Sequence, residues 1–181
     1  MTGALAGIAA VAVPLVLLLS AAGQVRRPGR LAAALRAHGT LPRAVTGPVA
    51  AAVIGAEALA GAGGAVALLR WTDGPMRAAS AAAAVLFGLY AGYGTYVART
   101  RRGVPCGCAG GDTPMTGWVA GRAAALAALA LAGALHGLPA GPAPFELTVT
   151  GTAGLAFAVL LWTLPRAMTV ESTTEERRPA G

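Results

Sequence analysis

Two cysteines, Cys106 and Cys108, stand one glycine apart within Arg99-Thr-Arg-Arg-Gly-Val-Pro-Cys-Gly-Cys-Ala-Gly-Gly-Asp112, and they are the only thiols of the 181-residue chain. Gly107 permits a backbone turn that a bulkier residue would resist, so the two sulfurs fall within disulfide reach of one another. Such a pair can cycle between dithiol and disulfide, or it can grip a metal ion. Arg101 and Arg102 lie close in sequence and favour thiolate over thiol, the form that acts both as nucleophile and as ligand. One close pair is too little for a disulfide framework and too few ligands for a closed zinc site. A thiol–disulfide relay is therefore the leading reading. Soft-metal binding, of copper(I) or zinc, and a membrane assembly scaffold with an incidental thiol pair remain the alternatives. With no second pair in the chain, a relay must draw on a partner to supply or accept electrons.

Other side chains can support that chemistry. Glu57 falls near the middle of a long apolar segment, where an ionisable group is costly and marks a functional site by default. It reads either as a proton carrier or quinone-facing hydrogen-bond partner, or as the counter-charge of a buried Arg. Arg122, one turn into a later segment, is the natural partner for Glu57 or for a thiolate, unless it extends to the nearby interface. Tyr90, Tyr93 and Tyr96 could line a quinone cleft or serve only in packing, so a quinone is the one cofactor to consider. His38 and His136 fall on opposite sides of the expected membrane. They read as interfacial residues and give no metal site.

These residues need elements to carry them, and the composition says what kind. The chain is 56% hydrophobic and only 12% charged, against roughly 25% charged in ordinary soluble domains. The basic residues are all Arg and sit in short runs between apolar blocks, a membrane-topology pattern rather than a nucleic-acid footprint. Five apolar segments follow: Gly3 to Gly23, Pro48 to Leu69, Ala78 to Ala98, Trp118 to Leu138 and Leu147 to Leu164. Each is near the roughly 20 residues a helix needs to cross the hydrocarbon. Backbone groups in lipid must be satisfied within the segment, so the expected fold is all-α: an integral membrane bundle of four core helices plus a fifth, over residues 1–168, with a polar disordered tail at 169–181. The first segment lacks the positive start of a signal peptide and is read as a span.

Between the first two spans, Leu31, Ala34, Leu35 and His38 follow helical spacing, and Gly39 and Pro42 stop it, which predicts a short interfacial helix. The glycine pairs Gly3/Gly7, Gly88/Gly92, Gly117/Gly121 and Gly133/Gly137 are expected mainly to pack helix on helix. Trp71, Trp118 and Trp162 fall near span ends, where belt residues belong. Arg26, Arg27, Arg30, Arg36, Arg43, Arg99, Arg101, Arg102, Arg166, Arg177 and Arg178 fall on one side of the spans, and only Arg70 and Arg77 on the other. The positive-inside rule then places the Cys-Gly-Cys loop at the cytoplasmic face of a multi-pass cell-membrane protein.

From about Leu15 to Leu131 the chain resembles the methylamine-utilisation MauE proteins, within the wider group of DoxX-like redox-associated membrane proteins. The resemblance is carried by Leu-Ser-Ala-Ala-Gly23 at the end of the first span, Leu-Arg-Ala-His-Gly-Thr-Leu-Pro42, the intramembrane Glu57, Val-Pro-Cys-Gly-Cys-Ala-Gly-Gly111, and Arg122. Gln24 stands where such proteins often carry Lys, and Ala109 where an aromatic commonly follows the second Cys. The resemblance implies a role in maturing a disulfide-containing partner enzyme, with electrons exchanged with a thioredoxin-like protein. A cytoplasmic loop sits awkwardly with disulfide formation outside the cell.

Overall fold

The first apolar segment is hydrophobic on every face, the mark of a helix surrounded by others. In the computed structural model, which describes residues 2–101, 103–107, 114–138 and 144–176, it forms α1 (Thr2–Val25) at the centre of the bundle. Ala9, Ala12 and Leu17 on α1 are wholly buried, and they join Ala83, Phe87, Leu126, Ala130 and Ala158 in the main core. Around it stand α3 (Arg43–Leu69), α4 (Asp73–Thr100), α5 (Gly117–His136) and α6 (Pro144–Glu176). The protein is all-helical, with six helices among the described residues, four of them long and apolar enough to span a bilayer. A shorter apolar stretch, Phe145–Leu161, lies within α6.

The spans begin earlier than their apolar cores. α3 starts at Arg43 rather than Pro48, and α4 at Asp73 rather than Ala78. A helix needs apolar residues only where it meets hydrocarbon, and its end turns can stay helical in the polar interface. Asp73 in the first turn of α4 and Arg99 in its last also carry the charge signs that the helix dipole favours. The α6 backbone continues through residues 169–176, the first part of the stretch expected to be a disordered tail, while residues 177–181 lie outside the described ones.

The expected short helix is present as α2 (Arg30–His38). It closes at Gly39, whose φ of 63° is left-handed, with the Gly39 amide donating to the Arg36 carbonyl. Glycine adopts that geometry without a Cβ clash. The glycine pairs are another matter. A Cβ at Gly88, Gly92, Gly117 or Gly121 would meet nothing within 4 Å, so these pairs do not pack helices together as expected. Two members of the other expected pairs do approach a neighbouring helix, Gly7 against Thr150 and Gly133 against Ala9 and Ser80, and further close approaches come from Gly61 against Leu17 and Leu18, Gly64 against Pro14, and Gly154 against Val11.

Helix direction brings the end of α1, α2, the start of α3, the end of α4 and the start of α5 to one end of the bundle. At the opposite end, the Asp73 carboxylate accepts from the Leu138 amide and the Arg77 guanidinium donates to the Leu135 carbonyl. That clasp ties the start of α4 to the end of α5, where His136 lies, so the two histidines stand at opposite ends as expected.

Candidate functional site

Ser20 and Gln24 lie one helical turn apart on α1 and so share a face. That face meets Glu57 of α3, which is 2% exposed. The Gln24 side-chain amide donates to Glu57 Oε2 at 2.7 Å and to Ser20 Oγ at 3.2 Å, and the Tyr90 hydroxyl of α4 donates to Glu57 Oε1 at 2.8 Å. The carboxyl is thus held by two helices besides its own, α1 and α4. Arg122 lies half-buried on α5. Gln24 Oε1 is buried, with no hydrogen-bond partner among the described residues.

A second polar cluster sits nearer the cysteine loop. His38, read as an interfacial residue, is buried within the protein at 2% exposed. Its Nε2 lies 2.8 Å from the Pro105 carbonyl, and its Nδ1 2.9 Å from the Tyr93 hydroxyl. A carbonyl only accepts, so Nε2 carries the proton and Nδ1 of the neutral ring accepts from Tyr93. The Thr40 hydroxyl stands 2.7 Å from the Tyr93 oxygen and completes the chain. α2 therefore holds the backbone of the residue immediately before Cys106.

The described part of the loop is packed, not extended into solvent. Cys106 is 3% exposed and packs with Val97, Met115 and Val119. The Met115 amide donates to the Val104 carbonyl at 2.8 Å, and Pro105 and Pro114 pair as an isolated antiparallel bridge, so the base of the loop is closed. Gly107 takes a φ of 75°, and a Cβ there would stand 2.6 Å from Ala34 Cβ of α2. Any side chain is thus excluded twice, by conformation and by contact. Arg101 is exposed and runs beside Gly39, at the end of α2. Cys108 and Arg102 lie outside the described residues.

Between the two polar clusters is a cavity of about 290 Å³. Leu31, Leu35, Leu41, Val49, Val53, Leu86, Leu89 and Met115 form its apolar wall; Gln24, Glu57 and Tyr90 line it in one place, and His38, Tyr93 and Cys106 in another. Tyr96 takes no part and is 57% exposed. Successive steps of three residues turn a helix face by about 60°, so Tyr90 and Tyr93 share the cavity while Tyr96 has rotated away from it. Gln24, Ser20, Thr40 and the burial of His38 were not legible as site features. The signals were the periodicity that placed His38 on the same face as Leu35, and the fact that Ser20, His38 and Thr40 fall within the motifs that carry the family resemblance, with Gln24 directly after the first of them. Among the described residues no group of three His, Cys, Asp or Glu side chains is arranged to hold a metal ion.

Neither the curated proteins nor the solved structures contain a match to this sequence. The family model for methylamine utilisation protein MauE matches residues 2–136, which takes in all four long spans, α2, Glu57 and the cysteine loop. The chain therefore belongs to the MauE family, as a multi-pass membrane protein associated with methylamine utilisation.

Proposed function

We propose that the protein is a membrane thiol–disulfide relay in which Cys106 and Cys108 cycle between dithiol and disulfide. A thiolate of the reduced pair attacks a disulfide of the partner and forms a mixed disulfide; the second thiol resolves it, closing the Cys106–Cys108 bond and releasing the partner as a dithiol. Two electrons pass to the partner, and the protons of the pair end on its two sulfurs. Run in reverse, the same steps oxidise a client. The partner is a thioredoxin-like protein or a disulfide-containing enzyme undergoing maturation.

The observation that carries this reading is the Cys106-Gly107-Cys108 spacing in a loop held at its base and braced by α2. The left-handed Gly107 supports a tight turn between the two cysteines. Arg101 and Arg102 favour thiolate in the loop, and Arg122 serves Glu57 in the interior. The Arg-rich end of the bundle, and with it the loop, faces the cytoplasm by the positive-inside rule.

A redox titration with thiol trapping tests the relay. The full-length protein in lipid vesicles is equilibrated at graded dithiothreitol ratios, quenched with a mass-tagged maleimide and counted for free thiols. The expected result is a two-electron transition between two free thiols and none, with Cys106→Ser and Cys108→Ser each abolishing it and leaving membrane insertion intact. Should the wild-type pair never close at any accessible potential, the relay is excluded. Stoichiometric zinc or copper in the purified protein would move the reading to metal binding.

A further inference from the structure

The cavity between the two polar clusters makes little polar demand on what fills it. Glu57 is met by Gln24 and Tyr90, and the Tyr93 hydroxyl by His38 and Thr40, so the polar side chains along its wall are hydrogen-bonded to one another. Gln24 Oε1 has almost no accessible surface and does not open into it. A buried water needs roughly two to four polar partners, whereas leucine and valine side chains offer a guest apolar contact. Leu89 on the rim is 65% exposed, and Val49, Val53, Leu86 and Tyr90 are half-buried, which puts the mouth between α3 and α4, on the face that meets hydrocarbon. A guest entering there is apolar and comes from the bilayer.

Charge at the same end narrows the class of guest. Leu35 and Leu41 line the cavity, and Arg36 and Arg43 follow them by one and two residues, so each arginine is rooted within about 7 Å of a lining residue along the backbone. Both arginines are exposed, and the exposed Arg101 runs beside Gly39, which lies between them in the chain. No Asp or Glu occurs in residues 1–56 or 74–111, so α2, the start of α3 and the end of α4 bring these cations together without an acidic residue of their own. An aliphatic slot open to hydrocarbon thus lies beneath a basic rim, which matches the two halves of an anionic lipid.

We propose that this cavity seats part of one acyl chain of an anionic phospholipid, which enters between α3 and α4 and leaves its phosphate among Arg36, Arg43 and Arg101. A zwitterionic phospholipid offers the same chain but carries a cation of its own to the arginines, so the rim selects by headgroup charge. The volume of about 290 Å³ is near the lower end of the roughly 300 to 1,000 Å³ common for ligand sites, which suits a stretch of one chain with the second chain left in the bilayer. The inference does not draw on the cysteine relay.

The test uses the full-length protein in phosphatidylcholine nanodiscs that carry a trace of phosphatidylglycerol with a photoreactive diazirine in its acyl chain, and adducts are mapped by peptide mass spectrometry. A phosphatidylcholine probe with the same chain is run in parallel. The expected result is labelling of the mouth, around Val53, Leu86 and Leu89, at least about tenfold stronger with the phosphatidylglycerol probe, a difference of about 1.4 kcal/mol. Arg36→Gln and Arg43→Gln should each lower that labelling about fivefold, the step expected for one basic residue beside an anionic headgroup. Arg70→Gln, at the opposite end of α3, should leave it unchanged. Leu89→Trp, placed at an exposed position that tolerates bulk, should abolish labelling, while Leu59→Trp, exposed elsewhere on α3, should not. Equal labelling by the two probes, or labelling that survives Leu89→Trp, would overturn the site. A photoreactive benzoylphenylalanine in place of Leu89 should crosslink to lipid; crosslinking to a second copy of the chain would give this face to self-association and overturn the proposal as well. None of these readouts involves a thiol, so their outcome and that of the cysteine titration are separable.

Discussion

Glu57 shows how a single buried residue acquires its role from neighbours that are remote in sequence. A carboxyl in the middle of a span is tolerated because donors from α1 and α4 replace the water it has lost. Removing the carboxyl should therefore cost more than changing it. Glu57→Leu leaves the Gln24 amide and the Tyr90 hydroxyl without their acceptor and is expected to destabilise the protein by about 1 to 3 kcal/mol per orphaned donor. Glu57→Gln keeps an oxygen for one of them and should lose less. Thermal unfolding in detergent micelles, followed by circular dichroism, gives the order; equal losses for the two variants would mean that the donors find other partners. Gly107 makes the complementary point, since its place is set by a backbone angle and by the nearness of Ala34 rather than by any bond of its own.

At the scale of elements, α2 acts as a clamp. It is too short to span a membrane, yet its last residue holds both the end of α4, through Tyr93, and the loop, through Pro105. His38→Ala deletes both bonds, and in a Cys108→Ser background it should raise the rate of Cys106 alkylation by N-ethylmaleimide about tenfold or more, as expected when an opening becomes easier by about 1.4 kcal/mol. An unchanged rate would show that the packing around Val97 and Met115 holds Cys106 without α2. Helix contacts give a second prediction. Gly64 meets Pro14 of α1 so closely that a Cβ would stand 2.7 Å from the Pro14 ring, whereas Gly88 faces open space. Gly64→Val should therefore cost about 1 to 3 kcal/mol by overpacking, and Gly88→Val should stay within about 0.5 kcal/mol. The same micelle melts read both, and a reversed order would place the α1–α3 contact elsewhere.

For the whole molecule, sidedness is the property that decides which redox pool the cysteines meet. Cys106 is too buried to report it, so exposed positions at the two ends are better probes. In a cysteine-free background, Ala37→Cys on α2 should stay unlabelled by an impermeant maleimide in intact cells and react after permeabilisation, while Gly74→Cys at the start of α4 should react in intact cells. The opposite pattern would place the loop outside, facing an oxidising compartment. Much of the molecule follows from the sequence alone. Apolar segments of spanning length determine four helices and their order, because lipid leaves backbone groups no other partner; Gly39 ends α2 where its left-handed angle is needed; and the Cys-Gly-Cys spacing with an intramembrane Glu57 names the residues proposed to carry chemistry. Only the tertiary structure decided which glycines touch another helix, that His38 is buried against the loop, that Tyr90 and Tyr93 face the cavity while Tyr96 does not, and that Gln24 joins Glu57. The physical reason is that a span uniformly rich in Ala, Leu and Gly has almost no amphipathic pattern to mark its inner face, so the facing residues are selected by packing between helices far apart in the chain.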